Sequence, residues 1–125
     1  MLHSSGSLAA VGLSALVLLS GSAAGSTPAL EAFDAAWSRR AEGARGGAAL
    51  ESSVAPAVVE GRRAVAADPA SLEARWKLMR ALYFLGEHAT DGAAARRDVF
   101  DEGKRLGEET LVLIRRRAGS AAGRD

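Results

Sequence analysis

Carboxylates are the side chains of this sequence with the most suggestive spacing for chemistry, and they occur as the neighbouring pairs Asp101–Glu102 and Glu108–Glu109. Two carboxylates that converge on one substrate can act as general acid and general base. Both pairs fall in a segment with helical periodicity, however, where side chains at i and i+1 diverge. The pairs therefore predict solvated charges rather than a catalytic centre.

The other groups that usually carry chemistry are scarce. The sequence has no cysteine, and its two histidines, His3 and His88, lie far apart. This composition excludes disulfides, thiolate metal sites and cysteine nucleophiles. His88 lies in a polar turn, which is typical of a surface histidine. No phosphate loop, serine elbow or zinc spacing is present. We predict a non-enzymatic protein with no metal and no cofactor; an enzymatic role would depend on His88.

The whole-chain composition is that of one ordinary globular domain. The chain has 125 residues, of which 48% are hydrophobic and 25% charged, and its net charge is +1. So balanced a charge does not favour nucleic acid or an anionic surface as partner. The basic run of Arg115, Arg116 and Arg117 is better explained as cations at the end of a helix, where they interact favourably with its dipole. We therefore predict no nucleic-acid partner.

The first thirty residues have a different character, because they contain no charged side chain. An apolar block over residues 8–19 is followed by small residues, which is the pattern of a secretory signal with cleavage after Ala24. The block is shorter than the ~20 residues of a spanning helix, although an uncleaved anchor is the alternative. Ser22 occupies the place of a lipoprotein cysteine, so we predict an exported soluble protein, periplasmic or extracellular. Contact with a membrane is expected only if residues 1–24 are retained.

The remaining chain has helical periodicity throughout. Residues 25–117 are predicted to form one helical domain of about four helices, and residues 118–125 a flexible tail. Thr27 and Pro28 begin the first helix, which is expected to reach Ala41. The second helix runs from about Leu50 to the stop at Asp68–Pro69, with Pro56 either kinking it or marking its start.

The third and fourth helices carry most of the large apolar residues. The third is capped by Ser71, runs from Leu72 to Leu85 and is expected to stop at Gly86. Its stripe of Leu78, Leu82 and Leu85 is predicted core. The fourth helix is predicted over 93–117, with Leu111 and Ile114 among the residues on its buried side. Gly103 and Gly107 indicate a close approach of another helix, since glycine otherwise costs about 1 kcal/mol in a helix interior.

A spacing of small residues recurs in the second and fourth helices: Ala57, Gly61 and Ala64 in one match Gly103, Gly107 and Thr110 in the other. Such recurrence is typical of helix-pair repeats. Together with "LEARWKLMRALYFLGE", it resembles the tetratricopeptide repeat family over about residues 48–114, and in particular the repeat region of the regulator of microtubule dynamics family and its bacterial relatives. The resemblance implies an all-α, short antiparallel helical-hairpin array that acts as a scaffold for protein–protein interaction.

The same resemblance implies where a partner would bind. In that family the first helix of each pair lines a concave groove that holds a peptide. The positions here that match it, and that we predict to contact a protein or peptide, are Glu73, Trp76, Arg80, Tyr83 and Phe84. Core packing or contact with the first helix is the alternative for these side chains.

A second interpretation treats the chain as a truncated repeat fragment. Its last helix would then expose Leu111, Leu113 and Ile114, which a further repeat would cover. This predicts a homo-oligomer or a piece of a longer assembly.

Overall fold

The computed structural model describes residues 26–123, and all regular structure in that range is helical. The helices are α1 (Pro28–Ser38), α2 (Glu51–Ala67), α3 (Leu72–Phe84) and α4 (Ala93–Ala122), and a π-helical turn, Leu85–Ala89, follows α3. The predicted all-α class with four helices is thus confirmed. The predicted signal segment, residues 1–24, lies outside the described residues.

The helices form an ordered antiparallel array in which each packs mainly on the next along the chain. The run of contacts between α3 and α4 shows the direction: a Cβ at Gly103 would lie 3.8 Å from the Leu82 Cβ, and one at Gly107 would lie 3.6 Å from the Met79 sulfur. Helix α1 touches α3 only sparsely. Nearest-neighbour packing of this kind is the arrangement of a helical-hairpin array.

Side-chain caps set the starts of α1 and α3 as the sequence predicts. The Thr27 hydroxyl accepts a hydrogen bond from the Leu30 N–H at 3.3 Å, and the Ser71 hydroxyl accepts one from the Ala74 N–H at 3.1 Å. Each cap satisfies a backbone donor that has no partner within the helix. Helix α2 begins at Glu51 and continues through Pro56, so the proline does not mark its start.

Three predicted helix ends differ from the observed ones. Helix α1 ends at Ser38 rather than Ala41, and α4 runs through Ala122 rather than ending at Arg117. Gly86 does not terminate a helix: it lies inside the π-helical turn, without a positive φ. A Cβ at Gly86 would lie 2.6 Å from the Phe100 ring, so this glycine is explained by close packing of α4 rather than by capping.

The core lies between all four helices, with Phe33, Val54 and Leu82 as its largest fully buried side chains. The predicted core stripe is confirmed, since Leu78, Leu82 and Leu85 are each at most 9% exposed. Another helix, α3, does pack at Gly103 and Gly107, but less closely than expected. A Cβ at either glycine would make only ordinary van der Waals contacts. The tight crossing lies at Gly61, where a Cβ would be 3.3 Å from the Leu78 Cα.

Candidate functional site

The five predicted contact residues lie on α3, but the structure distributes them over two faces of that helix. Trp76 and Tyr83 face α4, where they are 45% and 60% exposed. Arg80 and Phe84 contact side chains of α1 or of its following turn. Glu73 is engaged in an ion pair with Lys77.

On the α1 side, aromatic rings and guanidinium groups alternate. The Arg80 guanidinium lies 4.2 Å from the centre of the Trp37 ring and 4.8 Å from that of Trp76. Arg40 covers Trp37 as well, at 4.1 Å. Cations over indole rings are attracted by the ring quadrupole, so both arginines stabilise this surface by covering its aromatic rings. The rings here already have partners within the chain.

Phe84 occupies the contact with the first helix that the sequence left open as the alternative. It is half-buried, and its ring meets Trp37 edge-on at a centroid distance of 5.6 Å. The His88 ring covers another side of Phe84 at 4.7 Å. Contact on these sides gives Phe84 a packing role between α3 and α1.

Lys77 explains why Glu73 is held. The lysine side chain is only 8% exposed, and its ammonium donates to Asp34 at 2.7 Å and pairs with Glu73 at 3.0 Å. Burial alone would lower the pKa of Lys77, but the hydrogen bonds and charges of the two carboxylates outweigh it, so the pKa is raised. Within this cluster, the Lys77–Asp34 ion pair joins α3 to α1 at the edge of the core.

The α4 side of α3 carries a continuous apolar depression, which we call the α3–α4 groove. One section encloses about 450 Å³ and an adjoining section about 210 Å³, and Met79 lines both. The remaining lining residues of the larger section are Leu72, Trp76, Gly107, Thr110, Leu111 and Ile114. The smaller section is completed by Leu82, Tyr83, Val99, Phe100, Gly103 and Lys104.

Glycines on α4 form the floor of this groove, and large side chains form its walls. Gly103 and Gly107 lie one turn apart, and Leu82 and Met79 of α3 lie next to them at ordinary contact distance. Leu111 and Ile114, which are 51% and 43% exposed, rise beside them. The Thr110 hydroxyl donates to the Leu106 carbonyl at 2.6 Å and therefore offers no free donor to a ligand.

The groove is lined mainly by apolar side chains of α3 and α4. From Leu72 to Tyr83 it follows three turns of α3, a length of about 16 Å. An apolar channel of that length, floored by glycine, suits the apolar face of another helix. Across residues 26–123 no cluster of histidine and carboxylate side chains could hold a metal ion.

The sequence predicted a role in binding for some residues of this groove, but it did not predict that α3 and α4 residues form one groove. Trp76 and Tyr83 were predicted to contact a partner. Leu111 and Ile114 were predicted on the buried side of the fourth helix, which is wrong because they are 51% and 43% exposed; only the truncated-fragment interpretation expected them to be exposed. Met79 and the two glycines were assigned to helix packing. The helical spacing of Leu72, Trp76, Met79 and Tyr83 could have shown that they share one side of α3. The sequence does not show that this side faces the α4 residues of the groove.

Comparison with known proteins adds no identification. No protein-family profile matches the chain, and no curated protein or solved structure shows significant similarity to it. Among the helices of residues 26–123, none is both long and apolar enough to cross a membrane.

Proposed function

We propose that this protein is a non-catalytic interaction module that binds an amphipathic helix in the α3–α4 groove. The repeat-like scaffold role and export by residues 1–24 belong to the same proposal. Under it, Trp76 and Tyr83 contact the partner directly, while Arg80 supports Trp76 from the α1 side.

The observation that carries the proposal is that several large exposed apolar side chains line one continuous groove. Four large apolar or aromatic side chains, Trp76, Tyr83, Leu111 and Ile114, are each more than 40% exposed, and all line the α3–α4 groove. Contiguous exposed apolar surface of this kind marks interaction sites more often than isolated exposed residues do.

Trp76 provides a direct reporter for the test. In a Trp37→Phe variant of the full chain, Trp76 is the only tryptophan. The probe is a synthetic peptide of leucine, lysine and glutamate with leucines at i, i+3, i+4 and i+7, compared with a peptide of the same composition in scrambled order. We expect saturable blue-shifted Trp76 fluorescence with the helical peptide alone, because only it presents a continuous apolar stripe.

A matched pair of truncations locates the binding. Leu111→Ala should weaken the peptide by about 5- to 30-fold, the loss expected for one buried leucine. Val59→Ala, on α2 and 41% exposed, should leave the affinity unchanged. Equal responses to the two peptides, or equal effects of the two truncations, would contradict binding in this groove.

A further inference from the structure

We infer that α1 positions the Trp76 wall of the α3–α4 groove through two cations of α3. Asp34 and Trp37 are the positioning residues on α1, and Lys77 and Arg80 carry their effect to the Trp76 ring. Within residues 26–123, none of these four side chains lines the groove. The inference rests on the proposed function, because it concerns binding in the same groove, and it gives α1 a part in that binding.

Arg80 joins two indole rings that belong to different helices. Its guanidinium lies 4.2 Å from the centre of the Trp37 ring on α1 and 4.8 Å from that of Trp76 on α3. A cation attracted to both rings favours the arrangement in which it reaches both. Trp37 is fixed by its own packing, since its ring stacks on the fully buried Phe33 at a centroid distance of 6.1 Å. Arg80 therefore holds Trp76 relative to the core.

Lys77 places a second cation near the Trp76 ring. Its ammonium lies 5.9 Å from the ring centre, within the range of about 6 Å over which a cation is attracted to an indole face. The position of this ammonium is restricted, because it donates to Asp34 of α1 at 2.7 Å and pairs with Glu73 at 3.0 Å. The lysine side chain is only 8% exposed. A cation held in this way gives the ring a preferred position.

The two contacts between α1 and α3 follow matching helical spacings. Asp34 and Trp37 are three residues apart on α1, and their partners Lys77 and Arg80 are three residues apart on α3. Residues at that spacing share one face of a helix. Trp76 precedes Lys77 directly and lies one turn before Arg80, so both cations reach it from the same stretch of α3.

Order in the free protein favours binding by an exposed tryptophan. Immobilising a side chain on binding costs affinity, and the cost falls when the free protein already holds that side chain in place. This matters at Trp76, because the ring is 45% exposed and the opposite wall is formed by Leu111 and Ile114, which are about half exposed themselves. Contacts from the α1 side therefore contribute to affinity although they lie outside the groove.

The first test measures the mobility of Trp76 without any partner. In the Trp37→Phe variant of the full chain, Trp76 is the only tryptophan and an aromatic ring is kept for Arg80. Adding Arg80→Ala should enlarge the fast component of the time-resolved fluorescence anisotropy, whereas Arg80→Lys, which keeps the cation, should restore most of the order. Arg63→Ala removes an arginine that pairs with Glu60 on α2 and should leave the anisotropy unchanged. Equal fast components in Arg80→Ala and Arg63→Ala overturn the inference.

The second test is a double-mutant cycle on binding of the helical leucine, lysine and glutamate peptide, measured by the anisotropy of a dye on the peptide. Arg80→Ala should weaken binding about 3- to 10-fold, the loss expected when one side chain has to be ordered on binding. In a Trp76→Ala background the same change should have an effect of less than about twofold, because the ring on which Arg80 acts is missing. A purely structural role of Arg80 would weaken binding equally in both backgrounds.

Asp34→Asn extends the cycle to α1, because it removes the α1 carboxylate that restricts Lys77. It should weaken the peptide about 2- to 5-fold with Trp76 present and have little effect in Trp76→Ala. Circular dichroism of each variant shows that the comparison is made between folded proteins.

The outcomes separate this inference from the proposed function. If Trp76→Ala weakens the peptide but Arg80→Ala acts equally with and without the Trp76 ring, α1 does not position Trp76 and the proposed function stands. Absence of any peptide binding overturns both. A fast component that grows in Arg80→Ala and is reversed in Arg80→Lys, together with an Arg80 effect that disappears in Trp76→Ala, supports the inference.

Discussion

Three glycines in helices give a direct measure of how tightly the array is packed. Each glycine-to-alanine change in a helix interior gains about 1 kcal/mol from helix propensity alone. At Gly107 the new methyl would lie 3.6 Å from the Met79 sulfur, an ordinary contact, so we expect that gain to be retained. At Gly61 it would lie 3.2 Å from the Leu78 Cβ and 3.3 Å from the Leu78 Cα, in a crossing that cannot widen without moving α3.

Overpacking of this kind costs about 1–3 kcal/mol, so Gly61→Ala should be neutral or destabilising by up to about 2 kcal/mol. Gly119→Ala is the control for propensity, because nothing lies within 4 Å of a Cβ there. The measurement is the Tm of each variant in a thermal melt followed by circular dichroism. Each kcal/mol shifts Tm by about 4–8 °C in a domain of this size.

Equal gains in Tm for Gly61→Ala and Gly107→Ala would refute the assignment of the tight crossing to α2 and α3.

Four further variants test the packing of α2 and α3 by urea unfolding. Asp34→Asn with Glu73→Gln, which leaves Lys77 buried and unpaired, should cost about 1–3 kcal/mol, whereas Lys77→Met should change stability by less than about 1 kcal/mol. Since the pKa of Lys77 is raised on folding, its contribution is present below the ordinary lysine pKa and should be lost only as pH rises through the raised value. Pro56→Ala should stabilise α2 by about 1–3 kcal/mol by restoring a helical hydrogen bond. Phe84→Ala should lower stability by about 1–3 kcal/mol because the ring packs on α1, and an unchanged midpoint would return it to the exposed surface.

The two sides of α3 are expected to have different roles, one in packing and one in the proposed binding. Its α1 side is occupied by Asp34, Trp37 and Arg40, so substitutions there should act on stability. Its α4 side is bounded by exposed side chains, and substitutions there should act on association. The five predicted contact residues thus fall into two groups: those on the α1 side are tested by unfolding, and those on the α4 side are tested by binding.

Local signals in the sequence determine the helices and much of the core. Thr27 and Ser71 cap their helices through hydroxyl groups that act within one turn, and the spacing of Leu78, Leu82 and Leu85 marks a buried stripe without knowledge of any neighbour. The fold class follows, because helices with one apolar stripe must pack on one another. Absence of cysteine and of converging catalytic groups is likewise a property of the sequence.

Only the tertiary structure decides what each exposed aromatic residue contacts. Phe84 continues a polar stripe in sequence, yet Trp37 comes from a distant position to cover it, and His88 covers another side from the next turn. Gly86 resembles a helix stop, but the ring of Phe100 lies where its side chain would be. Trp76 and Tyr83 stay 45% and 60% exposed although they lie on the side of α3 that faces α4, because the α4 glycines there pack against Met79 and Leu82. These outcomes depend on which helices become neighbours and on the distance between them. The periodicity of a single helix gives no information about either.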